Sequence, residues 1–407
     1  MNSLLLRTLS IRPFSFLIIA EICSQMAMNM LHFVLIVVVY ELTHSNTAVA
    51  GVVLALTTPA IFFGIPAGAY VDRQSKKTIL LYTNIFRMLL LIPFIFFSTV
   101  LALVYLLAFC IAVIAQFFIP AETPMIPILV KKQFLLPANA LFGMGLYGSV
   151  LTGYALTGPL LILLGKNNIF IFLSVLFLIA SIFIWLIKVP KHQEIIEKKR
   201  NNTSIDIRGE VKTAFSFIVK TQGVYRSLFL LTLSQILIFI FAVIGPEYAV
   251  KVLGITVSEF PLYFASPAAL GMVAGSFLIG NFLHRISKTS LATVGVFLSG
   301  FGILLLPFGV KTGLKNVYDI VALSFMLGIA NAFVFVPSNT ILQEETAEEI
   351  RGKVYGALNA LVGIFSLIPI LIVGVLADFF GVTAVLVVIG ILILLFGVIR
   401  VLLHRGR

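Results

Sequence analysis

Charge is what this sequence has least of. Only 11% of its 407 residues are Asp, Glu, Lys or Arg, against about 25% in soluble domains. A globule surrounded by water is therefore excluded. Apolar/polar alternation is missing too. The apolar runs are continuous and about 20 residues long, unlike the roughly 10-residue alternating strands of a membrane barrel. Cysteine is nearly absent, and Cys23 and Cys110 both lie inside apolar runs. That leaves neither a disulfide framework nor metal-ligand spacing. His32, His44, His192, His284 and His404 are scattered over both faces of the membrane and no nucleophile motif accompanies them. An integral-membrane enzyme needs such groups clustered near one interface, so that class has no support.

What is present is hydrocarbon: 60% hydrophobic residues, 37 of them Phe, and a mean hydropathy of +1.13. In lipid only helices satisfy their own backbone hydrogen bonds in continuous runs of this length. The pattern predicts twelve spans, at 13–40, 47–71, 77–99, 101–123, 138–164, 168–188, 226–250, 258–283, 289–310, 317–342, 352–378 and 381–403. The net charge of +12 is distributed by side. One face holds nearly all Lys and Arg; Lys166, Lys251, Lys311 and Lys315 fall on the other, and Arg87 is left deep inside a span. The positive-inside rule then puts both termini in the cytoplasm. The basic balance reads as topology plus attraction to anionic lipid headgroups, and excludes a nucleic-acid partner. The first apolar run is span-length without a small-residue cleavage site, so it is expected to stay as a span.

The longest polar segment divides six spans from six. The expected domains are a six-helix bundle at 1–188, a cytoplasmic linker at 189–225, and a second six-helix bundle at 226–407. Within the linker Val211, Ala214, Phe215 and Ile218 recur at helical spacing, predicting a short amphipathic helix on the membrane surface. The two halves look duplicated. "GAYVDRQSKK" from Gly68 recurs as "GNFLHRISKT" from Gly280, and "FIPAET" from Phe118 recurs as "FVPSNT" from Phe335. Parallel six-span repeats are a common build for secondary transporters, with substrate between the halves.

The first of those decades resembles the loop motif between spans 2 and 3 of the major facilitator superfamily, G-x-x-x-D-R-x-G-R/K-R/K. Gly68, Asp72, Arg73, Lys76 and Lys77 match it, with Ser75 in place of the glycine. "YELTHSNTAVAGVVLA", "FFIPAETPMIPILVKKQFLLPANAL" and "FVPSNTILQEETAEEIRGKVYG" further resemble the bacterial macrolide-efflux and enterobactin-exporter branch. The resemblance implies an all-α fold of twelve transmembrane helices in two repeats. It implies a conformational latch in which Asp72 meets the start of span 11 near Gly352 and Arg73 pairs with Glu122. The plainer reading is that Arg73, Lys76 and Lys77 only obey positive-inside, which leaves Asp72 and Gly68 unexplained. Gly68 is expected to let two helices approach closely. In the second copy His284 replaces the acid, so the mirror latch near Pro137 is expected to be weak; His284 is a solvated remnant or a pH sensor.

Span 1 carries a polar stripe. Glu21, Gln25, Asn29 and His32 share one helix face, and Glu21 lies roughly 10 Å deep by helix rise. An ionisable group at that depth is a functional-site hypothesis by default. Removing a carboxylate from water favours the neutral acid, whereas a nearby arginine favours the anion. Arg87 enters span 3 from the same side to a similar depth. Three readings stay open: a proton or substrate-cation site, a static Glu21–Arg87 pair, or interfacial snorkelling. Span 7 offers Ser234 and Gln235 but no acid. In span 5, Gly153, Thr157, Gly158 and Pro159 resemble a worn drug–proton antiporter motif and predict helix bending and close packing. Glu247, Asp319 and Asp378, near the outer face, read as boundary residues.

The expected function is alternating-access, proton-coupled export of an amphiphilic small molecule such as a macrolide, another drug or a siderophore. The chain is expected to act as a monomer among membrane lipids, without cofactor or metal. The alternative within transport is a lysophospholipid flippase not driven by protons, suggested by Pro337 and Asn339. A receptor-like protein that kept the fold and lost transport is the remaining class.

Overall fold

The computed structural model describes residues 4–189, 216–281, 283, 286–311, 317–346 and 348–405. Among these residues there are helices and no strand. Val211, Ala214, Phe215, His284 and Arg285 lie outside the described residues, as do the side chains of Asp72 and Arg73.

The helices are α1 (Leu4–Leu9), α2 (Arg12–Thr43), α3 (Asn46–Thr57), α4 (Pro59–Arg73), α5 (Lys76–Phe97), α6 (Leu101–Leu129) and α7 (Leu135–Leu186), followed by α8 (Gln222–Glu247), α9 (Ser266–Asn281), α10 (Lys288–Lys311), α11 (Val317–Glu345), α12 (Glu348–Phe380) and α13 (Val382–Arg405). Among the described residues eleven stretches are long and apolar enough to cross a bilayer. The longest, Leu141–Leu186, is broken at Gly165, whose φ of 78° interrupts the helix. Each side of that break is long enough for a span, so it supplies both the fifth and the sixth crossing. The second crossing is two helices because Pro59 lacks the N–H to continue the ladder and instead opens α4.

By contacts the chain forms two units, Met1–Val38 with Ala55–Ile207, and Val39–Leu54 with Arg208–Arg407. The outer ends of α2 and α3 thus pack with the second unit, although the sequence ran the first bundle unbroken from 1 to 188. Inside each unit the same pairs of crossings touch. In the first, α4 packs on α6 and α5 on both α6 and α7; in the second, α9 packs on α11 and α10 on both α11 and α13. That is one packing scheme used twice, as a six-span repeat requires.

Packing in lipid needs close fit, because apolar side chains are as content in hydrocarbon as in protein. In the first unit Phe14, Leu80, Phe118 and Met125 fill the core near the polar loop, and Phe94 stacks on Phe170 at 4.9 Å further along. In the second, α9 and α11 run so close that a Cβ at Gly271 would collide with the Phe325 carbonyl and one at Gly328 with that of Ala268. Ile218, expected on a membrane-surface helix, is instead buried with Val224, Leu228, Leu231, Leu342 and Val354.

Candidate functional site

The first unit buries a charged cluster between α2, α5, α6 and the second part of α7. Glu21 and Arg87 are each only 2% exposed. The Arg87 guanidinium donates through Nη1 to Ser24 Oγ at 3.3 Å. Ser24 in turn donates to Asn84 Oδ1 at 2.8 Å, and Asn84 Nδ2 donates to the Leu80 carbonyl at 2.9 Å. Aromatic faces hold the cation from the other side: its central carbon lies 4.4 Å from the Phe118 ring centre and 5.9 Å from that of Phe177. A cation desolvated over ring faces gains from their quadrupoles.

Glu21 is served less well. Among the described residues neither carboxylate oxygen completes a well-formed hydrogen bond, and Arg87 Nε also lacks one; the Gln25 side chain, one turn on, is close enough to favour the carboxylate. Arg87 is near enough to act on Glu21 electrostatically, yet the guanidinium is spent on Ser24 and two rings. Burying an ionised carboxylate without partners is costly. Such an acid can take up a proton, receive a cationic group, or draw Arg87 toward it.

The rest of the stripe does other things. Gln25, Asn29 and His32 are half-buried. Asn29 faces span 5, where a Cβ at Gly153 would sit 3.2 Å from the Asn29 Cβ. One turn earlier on α7, Ser149 donates to the Ile22 carbonyl at 3.3 Å, and a Cβ at Gly145 would touch the Ile22 side chain at 3.3 Å. Gly145, Ser149, Gly153 and Thr157 thus form a stripe of small residues against α2, of which the sequence reading saw only the last two. Gly158 is buried beside the stripe, while Pro159 points outward.

At the polar loop, Lys76 Nζ donates to the Val71 and Gln74 carbonyls at 2.7 and 3.1 Å. Lys77 Nζ donates to the Trp185 carbonyl at 2.9 Å. Both lysines therefore satisfy carbonyls at helix C-termini, where cations are favoured. Gly68 departs from expectation. Nothing lies within 4 Å of a Cβ placed there, so in this structure it is not a close-approach point. Glu122 is buried, and among the described residues its Oε1 has no hydrogen-bond partner.

A second polar cluster was missed by the sequence reading. In the second unit Asp378, near the end of α12, receives five hydrogen bonds from Ser45 and the first two residues of α3. Its donors are Ser45 Oγ (2.7 Å), Asn46 N (2.7 Å), Asn46 Nδ2 (3.0 Å), Thr47 N (3.0 Å) and Thr47 Oγ1 (2.7 Å). Asn46, fully buried, also donates to Glu247, which is ion-paired with Lys251. The available signal was "SNT" at a helix start, a typical N-cap composition; which acid would dock on it could not be read.

The second unit also holds the counterpart of the charged cluster. The register that places Gly68 on Gly280 places Arg87 on Ser299. Ser299 lines a small cavity with Ser234 and Asn331, among Leu237, Val296 and Ile393. Ser234 donates to Asn331 Oδ1 at 3.2 Å, and no charged residue lines this cavity.

Comparison with known proteins gives a consistent result. The sequence model of the Major Facilitator Superfamily matches residues 17–368 and, separately, 228–407. The chain is 23% identical over 353 residues to the uncharacterized MFS-type transporter YfiS of Bacillus subtilis (strain 168), spanning 86% of this chain and 83% of that one. It is 22% identical over 381 residues to YfmI of the same organism, spanning 91% of each. Among crystal structures, the nucleoside transporter NupG superposes with a TM-score of 0.79 at 12% identity over 96% of this chain and 99% of that one. A POT family transporter in complex with 5-aminolevulinic acid gives 0.75 at 12% identity over 96% of both. At these identities the structural likeness speaks for the fold.

Proposed function

The chain belongs to the Major Facilitator Superfamily and is a multi-pass membrane transporter, and from that premise we propose a proton-coupled exporter of an amphiphilic small molecule. The observation that carries this reading is Glu21, buried and not ion-paired, with the Gln25 side chain beside its carboxylate and a nearby arginine that donates to Ser24. An acid in that position alternates between two stable arrangements. With a proton it needs no ion partner; without one it attracts Arg87 away from Ser24 and the aromatic faces. Proton uptake and release at Glu21 thereby become a rearrangement of α2 against α5, which is what coupling requires. The half-buried Gln25, Asn29 and His32, lying along the same helix, would orient a cargo with polar and apolar parts.

The branch resemblance favours a macrolide, another drug or a siderophore as cargo and the bacterial plasma membrane as location, with both termini in the cytoplasm. A latch of Asp72, Arg73 and Glu122 at the polar loop belongs to the same reading. The buried Glu122 with its unpartnered Oε1 supports it, since an arginine at the end of α4 would satisfy that oxygen.

Transport in proteoliposomes under an imposed pH gradient tests the proposal, using lipophilic dyes, a macrolide and a catecholate siderophore. Gradient-driven movement that collapses in Glu21→Gln is the expected result. Movement indifferent to both gradient and substitution would remove proton coupling. Labelled lysophospholipid would then be the next cargo, because Pro337 and Asn339 in α11 fit that alternative.

A further inference from the structure

We propose that the second unit carries a binding site for one anionic phospholipid of the bilayer, at the end where α8 begins and α13 finishes, with the phosphate held by Arg226 and Arg400. The two arginines stand on different helices yet are near enough to act on one another electrostatically. Arg226 is exposed and Arg400 half-buried. Arg400 is also anchored, since its Nη2 donates to the Thr289 carbonyl at the start of α10, at 3.4 Å. Like charges brought together at a membrane boundary repel, and an anion seated between them turns that repulsion into attraction.

The carboxylates at this end are used elsewhere. Lys288, the neighbour of Thr289, is ion-paired with Glu344, whereas among the described residues neither arginine belongs to an ion pair. Glu345 lies against Gly223, where a Cβ would collide with its carboxylate, on the flank of α8 that meets α11. Val224, Leu228 and Leu231 turn toward the core of the unit. By the helix period Arg226 leaves α8 on roughly the opposite side, so it projects toward lipid.

One turn deeper along each helix an aromatic ring shares the arginine's face. Phe229 follows Arg226 on α8 and Phe396 precedes Arg400 on α13, and the two rings meet with 5.5 Å between their centres. Phe229, Tyr225, Ile399 and Leu402 are all exposed. Two guanidinium groups above an apolar, lipid-facing floor match a ligand with a charged head and a hydrocarbon tail. Guanidinium is also the cation whose fork fits phosphate oxygens. The general attraction of basic residues to anionic headgroups asks only for scattered charges. It does not ask for two unpaired arginines over one pair of rings.

The inference rests on the chain's place in a membrane and not on proton coupling or export, so it and the Glu21 reading stand or fall separately. The test uses full-length protein in which Trp185→Phe and Tyr225→Trp leave a single indole, beside Arg226. This parent is reconstituted into phosphatidylcholine bilayers with a rising fraction of phosphatidylglycerol. Bromine on the acyl chains of one lipid or the other quenches the indole and gives the relative association of the two. The expected result is a preference for phosphatidylglycerol of about tenfold in the parent, lowered about fivefold by Arg226→Gln or by Arg400→Gln, the scale of one basic residue at an anionic surface. Arg12→Gln, which removes an exposed arginine at the start of α2 in the first unit, should leave the preference unchanged. No preference in the parent, or an equal fall in Arg12→Gln and Arg226→Gln, would overturn the site. A preference erased by inorganic phosphate at constant ionic strength would assign the arginines to a free anion and overturn the lipid as ligand. Should Arg400→Gln fail to fold, the exposed Arg226 decides alone.

Discussion

The two units share a packing scheme and differ in what they place at its centre. The first puts Glu21 and Arg87 between its first and third crossings, with Ser24 and Asn84 as intermediaries. The second puts Ser234, Ser299 and Asn331 in the corresponding place, all neutral. Duplication gave both halves the same seats, and charge occupies only one of them. An ionisable group can change its charge and thus the arrangement it prefers, whereas a hydroxyl bonded to an amide has one preferred state. Under the proposed function, the proton response therefore belongs to the first unit.

Copying the second unit into the first should have the largest effect. Arg87→Ser, the residue found at the matching position, removes the only cation beside Glu21 and empties the ring faces of Phe118 and Phe177. A loss of about 3–5 kcal/mol is expected, read as a large drop in thermal unfolding temperature in detergent. Adding Glu21→Gln should restore part of it, since the two substitutions act on one interaction.

Next in size is a contrast between helix seams. Gly271→Ala drives a Cβ into the Phe325 carbonyl, backbone that cannot yield, and should cost about 3 kcal/mol, the upper end for overpacking. Gly153→Ala meets Asn29 at 3.2 Å, a side chain that can shift, and should cost about 1 kcal/mol or less on the same scale. Equal costs for the two would mean that the α2–α7 seam is as rigid as the α9–α11 seam. Ser24→Ala comes third. It leaves Arg87 Nη1 and Asn84 Oδ1 without their shared hydroxyl, at about 1–2 kcal/mol for buried groups left unpaired. The smaller effect of the two serine replacements belongs to Ser234→Ala, which removes one neutral hydrogen bond to Asn331 and should cost about 0.5–1 kcal/mol. Urea or thermal titration of all four variants in one lipid gives the ranking. A Ser234 effect as large as that of Ser24 would erase the distinction between the centres.

The fold was legible in the sequence because spans are long, apolar and separated by charge. Even the break at Gly165 fell between two predicted spans. The depth of Glu21 and Arg87 could be counted along their helices, so their proximity was foreseeable. Ser24 and Asn84 were not, because isolated small polar residues in a span carry no periodic signal. The position of Gly68 against open space was unreadable as well, since a glycine shows where contact is allowed and not where it occurs. The Asp378 cluster was invisible for a different reason. Its partners lie 331 to 333 residues away, and the acid itself looks like any charge at a membrane boundary.

Gly165 has a consequence for how the protein is made. Its single left-handed φ is all that separates the fifth crossing from the sixth. The polar residues at the join are short in number, and Ser98 and Asn168 engage them or their neighbours at once, Ser98 donating to Asn167 and Asn168 to the Leu164 carbonyl. With so short a join, the two segments are expected to enter the bilayer together as one hairpin. A side chain at position 165 would meet the steric penalty of that φ and so obstruct insertion of both crossings together, before any question of transport arises.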